Sequence, residues 1–229
     1  MAKVLTCCSL MLLGASIIVA QQNETPPAKQ ILDKMVSVYA SCSSYADKGE
    51  SREVFLESRQ EILRPFSTEF IRPSRFRFEF EEISETRTTN YVAWQSGASI
   101  KSWWSIRPEV RSFETLDEAL AGASGVSRGS SIQGPSMLFG DLHDSHRIQN
   151  LSQLALIGEE KVGGRLTYKI AGLDWRGHKM TLWIDKESFL LLKTFEIVKP
   201  VNSQGAEQTT TYKPQLNTPI SVDKLAFKH

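Results

Sequence analysis

The alternation of aromatic and charged residues in Arg75–Glu81 constrains the fold of this chain more than any other feature. Phe76, Phe78 and Phe80 occupy every second position, and an arginine or a glutamate occupies each position between them. Only a β-strand, whose successive side chains point to opposite faces, separates residues in this way. One buried face and one solvated face is typical of an antiparallel sheet, because parallel sheets are usually covered on both sides. The segment therefore predicts a strand of an antiparallel sheet.

Other segments of similar character extend this sheet over most of the chain, to about eleven strands in all. The clearest of them are Ser51–Glu57, Phe66–Arg72, Thr89–Gln95, Ser99–Ile106, Leu154–Glu160, Leu166–Ala171, Lys179–Asp185, Phe189–Val198 and Thr209–Lys213. Apolar residues recur at three- and four-residue steps in Ala28–Ala40 and in Leu116–Ala123, which predicts a helix in each. Ser136–Phe139 predicts a short helical turn.

These elements define an α+β fold with one large antiparallel sheet and helices on one face. A twisted sheet of this size tends to curl, and the helices carry fewer large apolar residues than the strands. We therefore expect an apolar cleft under the concave face, with a tightly filled core as the alternative. The stretch 122–135 is rich in glycine and serine, and it predicts a mobile loop beside the cleft.

The first twenty residues have the pattern of a secretory signal. Lys3 precedes an apolar run that ends at Ala20, and the chain turns polar from Gln21. We expect residues 1–20 to be a signal peptide and residues 21–27 a polar tail, so that the protein is exported to the periplasm or beyond. An uncleaved membrane anchor is the alternative, although the run is short for a span. No cysteine directly follows Ala20, so a lipid anchor is not expected, and Cys42 is left without an intramolecular disulfide partner.

The balance of charges and the absence of cofactor-binding motifs argue against several classes of function. Without Lys3 the chain has 26 basic and 26 acidic residues, so no global field attracts nucleic acid or an anionic membrane surface. No phosphate-binding loop, dinucleotide fingerprint or paired-cysteine spacing is present, and we expect no cofactor.

Two weaker motifs indicate chemistry, and both have plainer explanations. Gly125–Gly129 matches G-x-S-x-G, so Ser127 with the downstream Asp141 and His146 could form a serine hydrolase, but a predicted helix precedes it where that motif needs a strand. His143 and His146 lie three residues apart and could bind zinc, but a third ligand would have to come from elsewhere, such as His178. We favour a solvated polar loop and expect neither an enzyme nor a metal site.

The C-terminal third has a distinctive pattern in Leu182–Lys193 and in Thr210-Thr211-Tyr212 followed by Leu216–Ile220 and Phe227. With the earlier segments Ile31–Tyr39 and Phe70–Phe78, this pattern resembles the LolA-like family, the periplasmic carriers of outer-membrane lipoproteins. The resemblance implies that residues 28–229 form a single LolA-like domain. The family fold is an unclosed half-barrel of about eleven antiparallel strands, whose helices cover a concave face that holds acyl chains. Relatives of this fold also act as envelope-stress sensors, and the family is not enzymatic.

We therefore expect a carrier or envelope sensor that binds a lipid or the acyl chains of a lipoprotein in a cleft. Burial of each CH₂ group would contribute about 0.8 kcal/mol, so affinity needs no polar recognition. The alternative is an interaction module with a filled core that binds another envelope protein through a sheet edge or loops. The residues predicted to line the cleft are Phe76, Phe78, Phe80, Trp94, Trp104, Met137, Leu138, Phe139, Leu182 and Ile184.

Overall fold

A computed structural model describes residues 26–84, 87–140, 142, 147–199 and 205–227. The predicted signal peptide lies outside the described residues. Asp141, His143, Asp144 and His146 also lie outside them, so the expectations that rest on these side chains remain open.

Twelve strands within the described residues form one antiparallel sheet. They are β1 Ser44–Phe55, β2 Glu61–Ile71, β3 Arg75–Ile83, β4 Thr88–Ser96, β5 Ser99–Trp104, β6 Arg107–Phe113, β7 Ser152–Val162, β8 Arg165–Leu173, β9 Lys179–Asp185, β10 Leu191–Val198, β11 Ala206–Thr211 and β12 Gln215–Leu216. The two-residue β12 pairs only with β1, and neither β12 nor β6 corresponds to a predicted segment.

The sheet is open. Its strand order is β6-β5-β4-β3-β2-β1-β11-β10-β9-β8-β7, so β6 and β7 form its two edges. The chain starts in the middle at β1, runs outward by hairpins to β6, and returns from the far edge at β7 to end beside β1. This arrangement confirms the predicted α+β fold with an unclosed half-barrel.

Four of the five α-helices that the structure describes pack against the concave face. The helices are α1 Ala28–Ser41, α2 Leu116–Ser124, α3 Ser130–Gln133, α4 Pro135–Leu138 and α5 Val222–Leu225, with a 3₁₀ turn at Ile148–Asn150. Helix α1 buries Ile31, Leu32 and Met35 in the core. Helix α5 contacts β3 and β4 from the opposite face, which the sequence did not predict. None of the described helices is long and apolar enough to span a membrane.

The prediction of a loop over residues 122–135 was wrong. Helix α2 continues to Ser124, and α3 and α4 follow within the stretch. Ser127 and Ser131 are fully buried, with their hydroxyl oxygens 3.0 Å apart, and the Ser131 hydroxyl donates to the carbonyl of Leu120 at 3.2 Å. Small side chains that satisfy one another's hydrogen bonds let these short helices pack closely, so composition alone was misleading.

Candidate ligand-binding site

An aromatic floor lies on the concave side of strands β2 to β4. The register pairs Phe70 with Phe76 and Phe66 with Phe80, and alternation places Phe78 on the same face between them. All five phenylalanines are at most 6% exposed. We call these five residues the aromatic floor; they form a continuous apolar surface of the kind that accepts hydrocarbon.

Aliphatic side chains continue this surface on the other half of the sheet. Leu182 and Ile184 of β9 are fully buried, and their cross-strand partners include Ile170 of β8 and Leu191 of β10. Both halves belong to one hydrophobic cluster, in which Tyr212 packs edge-on against Phe66 with ring centroids 5.7 Å apart. The two strands that the sequence analysis assigned to the cleft therefore face the same interior.

Of the three predicted cover residues, Phe139 contacts this floor directly. Met137 and Leu138 at the end of α4 are buried, and Phe139 is partly buried. The Phe139 ring packs edge-on against Phe70 at 4.8 Å and against Phe76 at 5.4 Å between ring centroids. We call residues 116–139 the cover segment. Its last residue, Phe139, contacts the floor at the edge of the concave face, which we call the rim.

The two tryptophans expected in the cleft lie on opposite faces. Trp104 pairs with Tyr91, and their rings meet edge-on at 5.9 Å on the concave side. Trp94 pairs with Arg77, so it shares the convex face, where it stacks on Phe227 at 4.7 Å. Trp94 therefore does not line the concave face. The strand register, which decides between the faces, was not available from the sequence.

The floor is closed in this structure, and space opens beside it at the rim. A cavity of about 540 Å³ lies next to Phe139, between the end of β2 and the start of α2. Its apolar lining comes from Ile100, Leu116, Phe139 and Leu142. This volume is in the usual range for small-ligand sites. Movement of the Phe139 ring would join the cavity to the floor over Phe70 and Phe76.

Arg72 lies just after the end of β2, beside this cavity. It connects the sheet to helix α1 and to the cover segment. Its guanidinium donates hydrogen bonds to the carbonyls of Ala40 and Cys42, at 2.8 and 2.9 Å, and thus holds the end of α1. A third bond, at 3.3 Å, reaches the carbonyl of Leu138 in the cover segment. Charge-assisted bonds to helix-terminal carbonyls are favourable, because these groups have no partner within the helix.

Polar contacts also fasten the rest of the cover segment to the sheet. Tyr91 donates its hydroxyl to the carbonyl of Ala119 at 2.5 Å, and Tyr212 donates to the side-chain oxygen of Gln133 at 2.8 Å. At the far end, the Arg128 guanidinium lies 2.7 Å from the Glu53 carboxylate. Directional bonds of this kind can be exchanged for bonds to water when a cover opens, at a small net cost for each.

Sequence reasoning missed a buried ion network at the end of the concave face. Arg64 is 3% exposed and lies 3.0 Å from Glu53 and 3.1 Å from Glu82. Glu82 continues the spacing of Phe76, Phe78 and Phe80 by two residues, and Arg64 likewise precedes Phe66 by two. The two-residue alternation of β2 and β3 could therefore have predicted that the side chains of Arg64 and Glu82 point to the interior. The network marks where the apolar surface ends.

Asp47 adds an ionisable group to the core. It is 4% exposed and accepts hydrogen bonds from the backbone N–H of Lys213, at 2.7 Å, and from the Tyr45 hydroxyl, at 3.1 Å. Burial raises the pKa of Asp47 to about 6, and these two bonds only partly oppose that rise. The folded protein therefore binds this proton more tightly than the unfolded chain does.

We accordingly expect the free energy of unfolding to fall as pH rises from about 4 to about 6. A group whose pKa is raised by folding stabilises the folded state below its unfolded pKa and loses that contribution as pH passes its folded value. The expected fall is on the order of 1–3 kcal/mol, and Asp47→Asn should reduce it. Urea unfolding followed by circular dichroism across this range measures it. A stability that is unchanged in wild type, or equally pH-dependent in Asp47→Asn, would contradict the assignment.

The structure places Ser127 in a structural role. Its hydroxyl contacts the Ser131 hydroxyl and the carbonyl of Ser124, and its side chain is fully buried. Among the described residues, no histidine hydrogen-bonds to it. A nucleophile needs an exposed oxygen beside a base, and the buried position of Ser127 does not provide one.

The fold has structural relatives, whereas the sequence has no close match. No protein-family model and no curated protein matches the chain. The structure is similar to the lipoprotein LppX of Mycobacterium tuberculosis, with a TM-score of 0.50 and 15% identity over 86% of this chain and 98% of that one. A LolA-superfamily protein from Nitrosomonas europaea gives a TM-score of 0.39 and 13% identity over 89% and 99% of the two chains. MucB from the Pseudomonas aeruginosa MucA/MucB complex gives 0.46 and 12% over 88% and 61%.

These comparisons show the fold. The similarity to LppX is to a chain that this fold matches over nearly its whole length, in keeping with the fold expected from the LolA-like resemblance. At 15% identity, the similarity to LppX extends to the architecture of an open half-barrel under helices. The ligand and the role have to be argued from the residues of this chain.

Proposed function

We propose that the protein is an exported, non-enzymatic carrier or envelope sensor that binds acyl chains between the aromatic floor and the cover segment. The observation that carries the proposal is the floor itself, five buried phenylalanines on one face of an open sheet. Above it lies a cover of short helices that packs apolar side chains into the interior and also makes polar contacts with the sheet. A lipid or an acylated lipoprotein would supply the apolar chain.

Binding would proceed by displacement of the cover. Phe139 occupies the floor at Phe70 and Phe76 and also lines the adjoining cavity of about 540 Å³. An acyl chain under the cover whose end reaches this cavity would replace the Phe139 contacts with its own. Each buried CH₂ would contribute about 0.8 kcal/mol, which offsets the loss of the apolar and polar contacts of the cover. Export through a signal peptide at residues 1–20, and a periplasmic location, are part of the same proposal.

A protein-interaction module is the second candidate. It is favoured by the complete burial of Phe70, Phe76 and Phe78, which leaves no open space over these three rings. A groove of about 380 Å³ also lies along strands β1 to β4, lined by residues that include Lys48, Glu79 and Val92. In that case the partner would be another envelope protein, and the interior would stay closed.

Arg72→Leu distinguishes the two candidates. Loss of the bond to Leu138 should favour opening of the cover segment by about 1 kcal/mol, or about fivefold, because the hydrogen bond is charge-assisted but partly solvated. Hydrogen exchange of residues 116–139 should accelerate by this factor, and an acyl-chain fluorophore should associate faster.

Arg75→Leu is the matched control, since Arg75 is exposed at the start of β3 and makes no contact with the cover segment among the described residues. Exchange and probe association that are the same in both variants as in wild type would count against a cover that opens. Faster exchange without any probe binding would favour the interaction module.

A further inference from the structure

A second, smaller cavity of about 170 Å³ lies between the cover segment and strands β9 to β11. Its polar lining includes Arg128, Arg176 and Glu196, and its apolar lining includes Ile132, Met180 and Val198. Ile132 and Met180 also belong to the hydrophobic cluster of the interior. The cavity is therefore a polar compartment whose inner wall is the edge of the apolar core.

The carboxyl group of Glu196 has no hydrogen-bond donor among the described residues. Glu196 lies on β10 between Gln208 of β11 and Met180 of β9. The side-chain amide of Gln208 does not donate to the Glu196 carboxyl group, because it donates to the carbonyl of Arg128 at 2.7 Å. A half-buried carboxyl group without a donor is costly, and a ligand that brings a donor would relieve that cost.

Cationic groups with spare capacity face the same cavity. Arg176 has no carboxylate partner among the described residues, and its guanidinium lies over the Trp175 ring at 4.4 Å. The nearby Asp174 is engaged, since one of its oxygens accepts the backbone N–H groups of Arg176 and His178. Arg128 binds Glu53 through Nη2, while its Nε is buried without a hydrogen-bond partner. The cavity is therefore lined by the Glu196 carboxyl group, which has no donor, and by Arg128, whose Nε has no acceptor among the described residues.

We infer that this cavity binds the headgroup of an amphiphile that carries both a phosphate and a primary ammonium, with its acyl chains in the proposed site under the cover. Arg128 and Arg176 would bind the phosphate, and Glu196 would accept from the ammonium. A cavity of about 150 Å³ holds a benzene-sized molecule, so the space suits a headgroup and not a whole lipid. The inference rests on the proposed function and specifies the chemistry of its ligand.

The ionisation of Glu196 gives the inference a pH signature. Burial, and to a smaller extent Asp174, raise the pKa of Glu196 to about 7 against the opposing effect of Arg128 and Arg176. The other titratable groups at this end, among the described residues, are His178 beside Asp174, Glu53 paired with Arg128, and Tyr212, which interacts electrostatically with Glu196. An ammonium binds the ionised carboxylate, so affinity should rise between about pH 6 and about pH 8.

Three short-chain probes with identical acyl chains test the headgroup. They are dihexanoyl phosphatidylethanolamine, dihexanoyl phosphatidylglycerol, which lacks the ammonium, and dihexanoylglycerol, which lacks both charges. Calorimetric titration of the purified protein should show the first probe binding about tenfold more tightly than the second, as expected for one charge-assisted contact. Glu196→Gln should abolish this preference and its pH dependence, while dihexanoylglycerol binding stays unchanged.

Glu187→Gln, in the exposed turn after β9, is the matched control and should keep the preference. Equal affinity for all three probes would overturn the headgroup inference and leave the proposed function standing. Binding of none of them would overturn both. Free phosphoethanolamine that binds as tightly as the phosphatidylethanolamine probe would assign the cavity to a soluble ligand, and would overturn its link to the acyl-chain site.

Discussion

Replacing Arg64 with methionine should lower the free energy of unfolding by about 3–5 kcal/mol. Arg64 is 3% exposed and connects Glu53, also 3% exposed, to Glu82. Without the guanidinium, Glu82 loses its partner and Glu53 keeps only Arg128, so two carboxylates face the interior with too few donors. Urea unfolding at neutral pH, followed by circular dichroism, measures the loss.

Arg52→Met is the matched control on the neighbouring strand. Arg52 pairs with Glu61 on the solvated side of the sheet, where an ion pair contributes about 0–1 kcal/mol. Similar small losses for both variants would show that the Arg64 network is solvated and does not form the polar boundary of the concave face.

Phe78→Ala should cost about 3–5 kcal/mol of stability, because it leaves a cavity in the middle of the aromatic floor. Phe78 is fully buried, with the rings of Phe66 and Phe80 at 6.2 and 6.1 Å. If acyl chains bind over this floor, dihexanoylglycerol should restore part of the lost stability, since a ligand that binds only the folded state stabilises it. Urea unfolding with and without the lipid measures both effects.

The control for this prediction is Ile157→Ala on the edge strand β7, where the side chain is 47% exposed. It should change stability by less than about 0.5 kcal/mol and should not alter the response to lipid. A Phe78→Ala variant that loses its stability but gains nothing from lipid would argue for a floor that is purely structural.

The parts of the fold that the sequence predicted are those in which one face is buried. Phe76, Phe78 and Phe80 alternate with charges because their strand has a dry side and a wet side. Strand β6 was missed for the opposite reason: Arg107–Phe113 is an edge strand, six of its seven residues are exposed, and it contains a proline. An element that buries almost nothing carries no periodic signal.

The order along the chain predicted that residues 137–139 cover the floor, and the structure places the Phe139 ring against Phe70 and Phe76. The polar residues around the interior were not predicted. The ion network around Arg64 and the cavity at Glu196 depend on which strands become neighbours, a long-range property that a local pattern does not contain. The same dependence misplaced Trp94, whose face is set by its pairing with Arg77.

Native mass spectrometry of the protein purified from the exported fraction tests the central claim most directly. The account predicts a population of the chain with the added mass of one lipid or acyl-bearing ligand. It also predicts that protein stripped of this ligand takes one up again from lipid micelles. A bare chain that takes up none, while its circular dichroism shows it to be folded, would contradict acyl-chain binding and leave the interaction module as the better account.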